Sequence, residues 1–504
     1  MLLVSQISEA QNSEGDFHVN ILKARLNSNG FLFDSLGSFG LRTNSGMPLA
    51  MGSGIWMSAN DSQGNLRVSA HNVLGNNHDF WAGPLELNSG NAANPSFWNK
   101  VYAISKEEVT SHQLNFKKSN YQMSDKIKYW PGSGVYPYAK VLAPFVDLNE
   151  NNQVYEPDLG DYPYFKGDAI LYSIYNDNYA NHTYTNALPL GIEVHTSVFA
   201  FKMQNILDSC IIVRHVLFNR SGRDYQNFRF SNVTNFKIGS VYNEFLGTDV
   251  RNNTLFAIND TSEATFSHQL VSLGCMSLNK PLSSTMYFNN DNDVINGRPV
   301  APNHFQYLMS GKWKNNKILN YGSNGVDGSS NAKFVYPYDT DDSQFNLMWN
   351  EESVGNLSGQ RIGMMNFDSA LFRSSSVVYY DFVYFNVNEI YNNIKQIDNF
   401  CLRIKKALSS YNILNIPNKI GSLSHSFALY PNPLKSGEKI SILKPSDLPT
   451  NMTIFDMSGK EVFRFVLEKS KESINLPNDL KSGVYFVKFS TLNNIEIKKI
   501  IINE

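Results

Sequence analysis

The residues best placed to do chemistry lie in one stretch, Asp147-Leu148-Asn149-Glu150-Asn151-Asn152-Gln153-Val154-Tyr155-Glu156-Pro157-Asp158. Oxygen-bearing side chains stand at positions 1, 3, 5 and 12 of this 12-residue run, on Asp147, Asn149, Asn151 and Asp158. Gln153 at position 7 can offer its backbone carbonyl, and Val154 at position 8 is an apolar anchor. Calcium takes about six to eight hard oxygen ligands on a tightly curved backbone, and this spacing supplies them. Two positions depart from the loop that joins paired helices: Asn152 stands where Gly is usual, and Asp158 where Glu is usual. Asn tolerates the left-handed conformation better than most residues. No amphipathic helices flank the run, so the expectation is a helix-free loop holding a structural calcium ion. A metal-free, Asn-rich turn is the competing reading.

Other constellations carry less. Glu193 and His195 are two apart on an alternating run and share a strand face. With His182 they would make a metal site, and otherwise a solvated sheet face. Asp161 and Asp168 flank Tyr162-Pro163-Tyr164. They read as a carboxylate pair for hydrolysis, as turn caps, or as extra support for the calcium loop. The six Trp residues offer either sugar-stacking platforms or core packing, with core the default. No G-x-S-x-G, H-E-x-x-H, P-loop or G-x-G-x-x-G pattern occurs. That weighs against the common hydrolase, zinc-protease and nucleotide chemistries. Glycosidase carboxylates leave no short motif, so the absence does not bear on them.

The elements that must hold these residues read as strands. Charged residues are only 17% of the 504, while aromatics reach 13% with 26 Tyr and 33 Phe. Tyr, Phe and Thr suit half-buried strands. Leu66–Ala70, Gly191–His195 and parts of Val377–Phe385 alternate at the strand period between Asn-Gly, Asp-Gly and Ser-Gly turns. Two helices interrupt them. Ser105 and Glu108 form a capping box that opens a short one. Ile390, Ile394, Ile397, Cys401, Ile404 and Leu408 recur at helical spacing and predict a second, packed on the sheet that holds Val377–Phe385. Residues 412–426, with Pro417 and Gly421, break the periodicity and read as a linker.

The net charge of -2 leaves no basic excess for nucleic acid or an anionic membrane. No apolar run approaches the ~20 residues of a membrane span. Cys210, Cys275 and Cys401 are too few and too far apart for a disulfide framework or a zinc site. They read as buried thiols, with one disulfide as the alternative. Residues 1–10 end in Ser8-Glu9-Ala10, small at both key positions of a signal-peptidase site. They read as a signal-peptide remnant or as a disordered N-terminus.

From residue 427 the pattern becomes short alternating runs: Lys439–Leu443, Thr453–Met457, Glu461–Leu467, Val484–Phe489 and Ile495–Ile502. Ser458-Gly459 turns one run into the next. Five to seven strands in this span predict a small Ig-like β-sandwich. Four motifs stand in order: Tyr430-Pro431-Asn432-Pro433, Ile454 to Val462 with Asp456 and Gly459, Leu480 to Lys488 with Gly483 and Tyr485, and Lys498-Lys499-Ile500-Ile501-Ile502. In this the chain resembles type IX (Por) secretion cargo proteins with a type A C-terminal sorting domain. Lys460 departs, since Arg is common there. The resemblance implies export through the periplasm, passage of the outer membrane by the type IX machinery, cleavage of the domain, and release or attachment to lipopolysaccharide. Gly459 and Gly483 would supply turn conformations, Pro431 and Pro433 an extended lead-in, and the basic last strand an edge for the translocon.

The larger region resembles a recurrent, uncharacterised ectodomain of such cargo proteins. The likeness runs through Gly54-Ile55-Trp56, Asp79 to Pro84, Trp130-Pro131-Gly132, Leu142 to Asp147, Gly160 to Pro163 and Pro189 to Glu193. It implies location and fold and no chemistry. Asp368-Ser369-Ala370 is similar to the O-glycosylation sequon of bacteria with this secretion system.

The chain is thus expected to be mainly β. A large β-sandwich-type ectodomain with a few helices spans 11–411, a linker 412–426, and a small Ig-like sandwich 427–504. The expected role is a non-enzymatic surface or secreted protein acting in adhesion, glycan binding or envelope structure. A secreted carbohydrate-active hydrolase is the alternative. Expected partners are the type IX machinery and surface glycans or lipopolysaccharide, with no nucleic acid and no membrane span.

Overall fold

The computed structural model describes residues 13–33, 40–148, 153–240, 242–260, 270–328, 330–343, 348–389, 394–410, 428–443, 450–467, 471–477, 479–490 and 495–503. The chain is mainly β, with 43% strand and 12% helix. It divides into two compact units. One holds Met1–Trp130, Gly134–Lys140 and Phe165–Asn418; the other holds Pro131–Ser133, Val141–Tyr164 and Lys419–Glu504. The signal-peptide remnant and the linker fall outside the described residues.

Two large antiparallel sheets build the first unit. The eight-stranded one runs Glu14–His18, Leu22–Asn27, Leu41–Thr43, Pro48–Asn60, Tyr225–Phe236, Ile362–Phe372 and Ser284–Phe288, with Leu66–Ala70 also paired to Pro48–Asn60. The nine-stranded one runs Glu244–Asp249, Thr254–Asn259, Leu270–Ser277, Val377–Glu389, Cys210–Asn219, Ile192–Ala200, Ala169–Asn176 and Trp81–Ala82, with Tyr102–Ser105 on Ala169–Asn176.

The sheets face each other across one apolar core. Phe230 of one stacks on Tyr380 of the other, with centroids 3.8 Å apart. The Tyr384 hydroxyl crosses the gap to Ser53 Oγ at 2.7 Å and accepts from Asn232 Nδ2 at 2.8 Å. Alternation along Val377–Glu389 puts Tyr380, Phe382 and Tyr384 into this gap. Asp381 lies on the other face, where it pairs with cross-strand Arg214 through two bonds of 2.6 and 2.7 Å. Gly30, at φ 86°, sits where a Cβ would fall 2.1 Å from the Tyr175 ring, so the turn after Leu22–Asn27 closes only on glycine.

Both sequence-predicted helices are present. Lys106–Asn115 opens on the reciprocal Ser105–Glu108 capping box. Ile394–Ser410 buries Ile394, Ile397, Cys401, Ile404 and Leu408, and its Phe400 stacks on Phe385 of the sheet. Ile390 lies outside the described residues. All three cysteines are free and buried. Burial pushes their thiols up, Cys401 to about 12.

In the second unit, residues 428–503 form two sheets over a core that includes Ile440, Ile454, Val487 and Ile500. The three-stranded sheet is Ala428–Tyr430, Lys439–Leu443 and Lys471–Asn475. The five-stranded sheet is Leu434–Lys435, Ile495–Asn503, Gly483–Ser490, Thr450–Phe455 and Glu461–Leu467. Among the described residues eight strands stand, where the sequence predicts five to seven. The extra ones are two or three residues long, or, like Lys471–Asn475, too polar to alternate visibly.

Candidate functional site

The acidic loop hangs between two short paired strands, Phe145–Val146 and Tyr162–Pro163. Asp147 Oδ2 accepts from Gln153 N–H at 2.9 Å, which closes the loop on itself. Asp147 Oδ1 is buried with no hydrogen-bond partner among the described residues. Gln153 is left-handed, at φ 68°, and Asn152 lies outside the described residues. Asp158 is exposed on the 3-10 turn Pro157–Leu159. Asn149 and Asn151 lie outside the described residues. Asp161 lies beside the described part of the loop. It is fully buried, and its two oxygens accept from Leu148 N–H at 2.9 Å and Glu156 N–H at 2.8 Å. Burial, then the charges of Asp147 and Glu156, raise its carboxyl above the usual range despite those two bonds. A site that crowds carboxylates and leaves one oxygen unpartnered is electrostatically suited to a cation. Among the described residues, no three His, Cys, Asp or Glu side chains gather as a metal-holding group. Any ion here would depend on amide and backbone oxygens as well.

Glu193 and His195 do share a face, and that face is buried, not solvated. Glu193 Oε1 meets His195 Nε2 at 3.1 Å and Arg220 Nη2 at 3.2 Å, while Oε2 accepts from Leu85 N–H at 2.7 Å. His195 Nδ1 reaches Tyr172 Oη at 2.8 Å. Burial would raise the Glu193 carboxyl. The His195 bond, the charges of His195 and Arg220 and the Leu85 N–H outweigh it and hold the carboxyl below its ordinary value. His182 is not brought to this pair. Its two ring nitrogens each lie 2.8 Å from a carbonyl oxygen, those of Val68 and Asp177.

Two buried carboxylates that sequence reasoning passed over organise the neighbouring loops. Asp177 accepts from three consecutive backbone amides, Leu190 at 2.6 Å, Gly191 at 2.9 Å and Ile192 at 2.7 Å, and from Ser69 Oγ at 2.5 Å. Asp79 accepts from the Ala70, Tyr184 and Thr185 amides. Asp79 thus anchors residues 70, 184 and 185, and Asp177 anchors 190–192. Only the mutual spacing in the fold makes that visible.

Asp168 accepts from Lys202 N–H at 2.8 Å and lies 3.8 Å from Lys106 Nζ. Five of the six Trp are core residues, and Trp98 is half-buried. The exposed aromatics include Tyr242 at 79%, Phe97 and Tyr136, each 76% exposed, and Tyr129 at 61%. A cavity of about 390 Å³ is lined by Lys333, Phe334, Asp341 and Asp368 among others. Ser369 stands exposed beside Asp368 on the strand Ile362–Phe372.

In the C-terminal unit the four motifs have structural work. Asn432 Nδ2 donates to the Lys499 carbonyl and its Oδ1 accepts from Ile501 N–H, both at 2.9 Å. The chain bends through 431–433, with a cis Asn432–Pro433 peptide, so Pro431 and Pro433 frame a bend where an extended lead-in was expected. Asp456 Oδ1 accepts from Ser458 N–H, Ser458 Oγ and Lys460 N–H, and Gly459 at φ 82° completes this turn. Tyr485 is buried and donates from its hydroxyl to the Lys481 carbonyl at 2.8 Å, tying the start of Gly483–Ser490. Gly483 opens that strand at φ 159°. Lys498 and Lys499 lie on the last strand, whose outer edge is covered from Lys499 onward. Leu434–Lys435 pairs with Ile502 and Asn503, and Asn432 covers 499 and 501.

Residues 428–503 match the family model of the secretion system C-terminal sorting domain. The chain is a type IX secretion cargo protein with a C-terminal sorting domain. Such a tail directs a protein to the cell surface or the extracellular space and engages the type IX machinery. No described helix is long and apolar enough to cross a membrane.

The comparison with curated proteins gave no match. Among solved structures, the cargo protein is similar over 62% of its length to 34% of a polysaccharide lyase, at 9% identity and TM-score 0.18. A Salmonella alpha-2-macroglobulin mutant aligns with 90% of this chain and 26% of its own, at 9% identity and TM-score 0.20. PorZ, a surface component of the type IX secretion system of Porphyromonas gingivalis, aligns with 97% of this chain and 75% of its own, at 9% identity and TM-score 0.14. The chain thus spans about a third of the lyase and a quarter of the macroglobulin. Scores this low carry no function across.

Proposed function

We propose that the ectodomain is a non-enzymatic binding module of the cell exterior, acting in adhesion, glycan binding or envelope structure after passage through the periplasm. The observation that supports this most is the fate of the carboxylates. Asp161, Glu193, Asp79 and Asp177 are buried and bonded to backbone amides, a hydroxyl or cations. Groups so held fix loops and are poorly placed to activate water. The exposed aromatics Phe97, Tyr129 and Tyr136 are instead presented to solvent, where flat rings can stack on sugar faces. Calcium belongs to the same reading. The ion would sit against Asp147 Oδ1, with Asn149, Asn151, Asp158 and the Gln153 carbonyl available from the loop and Asp161 beneath it. It would neutralise the neighbouring carboxylates, which add to burial in raising Asp161.

The cavity with Asp341 and Asp368 is the specific observation that favours the alternative, a carbohydrate-active hydrolase. One experiment separates the two. The purified chain is incubated with a panel of polysaccharides and surface glycans, and bound protein and released sugars are scored together. Binding without products, weakened by Tyr136→Ser, supports the binding module. Released oligosaccharides, abolished by Asp341→Asn or Asp368→Asn, overturn it.

A further inference from the structure

The five-stranded sheet of the sorting domain has one face on the core and one face away from it. Along Gly483–Ser490 the side chains of Tyr485, Val487 and Phe489 are buried, so Val484, Phe486 and Lys488 point outward. The antiparallel register sets Val484 opposite Ile501, Phe486 opposite Lys499 and Lys488 opposite Ile497. Directly opposed side chains lie on the same face. The two strands therefore display a chequer of apolar and cationic groups. Phe486 is 39% and Ile497 62% exposed, and Lys499 is exposed beside them.

The charges on this face are unbalanced. Arg464, on the far strand Glu461–Leu467, is already held by Glu461 at 2.7 Å. Among the described residues, Lys488 and Lys499 have no ion-pair partner. Cations interleaved with exposed Phe and Ile keep such a face soluble alone, yet make it complementary to carboxylates set around an apolar centre. Asn432 holds the last strand from its other side through Lys499 and Ile501, which keeps Lys499 in register with Phe486.

We propose that this face, centred on Phe486, Lys488, Ile497 and Lys499, docks on an acidic surface with an apolar centre carried by a protein of the export machinery. Recognition would then be by the folded sheet face more than by an open strand edge. The test uses the full chain, expressed in a host that has the type IX system. A strain without the translocon supplies the reference for retained protein. Surface exposure is read by protease accessibility on intact cells, and folding by the melting temperature of each purified variant. The Lys488→Glu/Lys499→Glu pair is expected to lower surface protein at least tenfold, and Phe486→Ser to act in the same direction. Lys439→Glu, on the three-stranded sheet, is expected to be exported normally. If the charge reversal lowers the melting temperature, Lys488→Gln/Lys499→Gln takes its place, with a smaller loss of export expected. Export of the folded double variant at the unmodified level overturns the proposal. So does binding of the unmodified chain to phosphatidylglycerol vesicles that the double variant loses while its export is unchanged. That result would assign the face to an anionic lipid surface.

Discussion

Asn432 and Lys499 are joined by a side-chain amide acting as a piece of strand. The Asn432 amide donates to the Lys499 carbonyl while accepting from Ile501 N–H, each at 2.9 Å. A backbone neighbour would offer the same donor and acceptor. Leu434–Lys435 then continues the pairing at Ile502 and Asn503. Asn432→Ala removes both bonds at an exposed site, so a loss of about 1–2 kcal/mol is expected. Hydrogen exchange at the Ile501 amide should accelerate while the Val487 amide stays protected. Equal acceleration at both would mean global unfolding and refute the local role.

Calcium is expected to raise the melting temperature of the chain, and chelator to lower it. Asp147→Ala should abolish that response. Asp161→Asn should weaken it by a different route, since the amide oxygen can keep one of the two backbone contacts while its NH2 group faces the other N–H donor. Binding should also weaken as pH falls. The Asp161 carboxyl is raised, so protons compete with the ion at a higher pH than at an ordinary Asp. Identical melting with and without calcium would leave the metal-free turn as the reading.

His71 and His215 set an acid limit on the sandwich. Burial is the main cause lowering them from 6.5, His71 to about 4 and His215 to about 3. His71 is held neutral. Its Nδ1 accepts from Ile55 N–H at 3.1 Å and its Nε2 lies 3.0 Å from the Asn29 carbonyl. In the unfolded chain both rings gain a proton near pH 6.5, so the unfolded state binds more protons below that value. Stability is therefore full above the unfolded value and is lost as pH falls towards 4. The loss is about 3 kcal/mol for His71 alone. Denaturant titrations at steps between pH 7.5 and 4.5 should show this slope, and His71→Gln should flatten it. A wild-type slope left unchanged in that variant would show that carboxylates, and not His71, dominate.

Glu193 neutralises Arg220 and orients His195 in a buried setting. Glu193→Ala leaves the partly buried Arg220 guanidinium without its carboxylate, and up to about 3 kcal/mol of stability should be lost. Glu193→Gln should lose less, because the amide can still accept from Leu85 N–H. If both variants melt like the parent, the network is not structural and its ligand-binding role reopens.

Much of this molecule was decided by short-range pattern. The capping box at Ser105 and the stripe from Ile394 to Leu408 predict their helices because helix starts and amphipathic faces depend on residues three or four apart. The alternating runs after residue 427, the Asp456–Gly459 turn and the order of four motifs identify the sorting domain, since each is local. Other features needed the tertiary structure. Glu193 and His195 read as a solvated face because alternation says which residues share a side and not what covers that side. Leu85, Tyr172 and Arg220 cover it from far along the chain. Asp158 fits the loop by count, yet Asp161 is the residue buried beneath it, because a 3-10 turn intervenes. Asp79 and Asp177 carry no motif at all. Their role is to satisfy amides of loops up to about a hundred residues away, as with Asp79 and Thr185. Pairings of that span are set by how the two sheets close, and no periodicity records them.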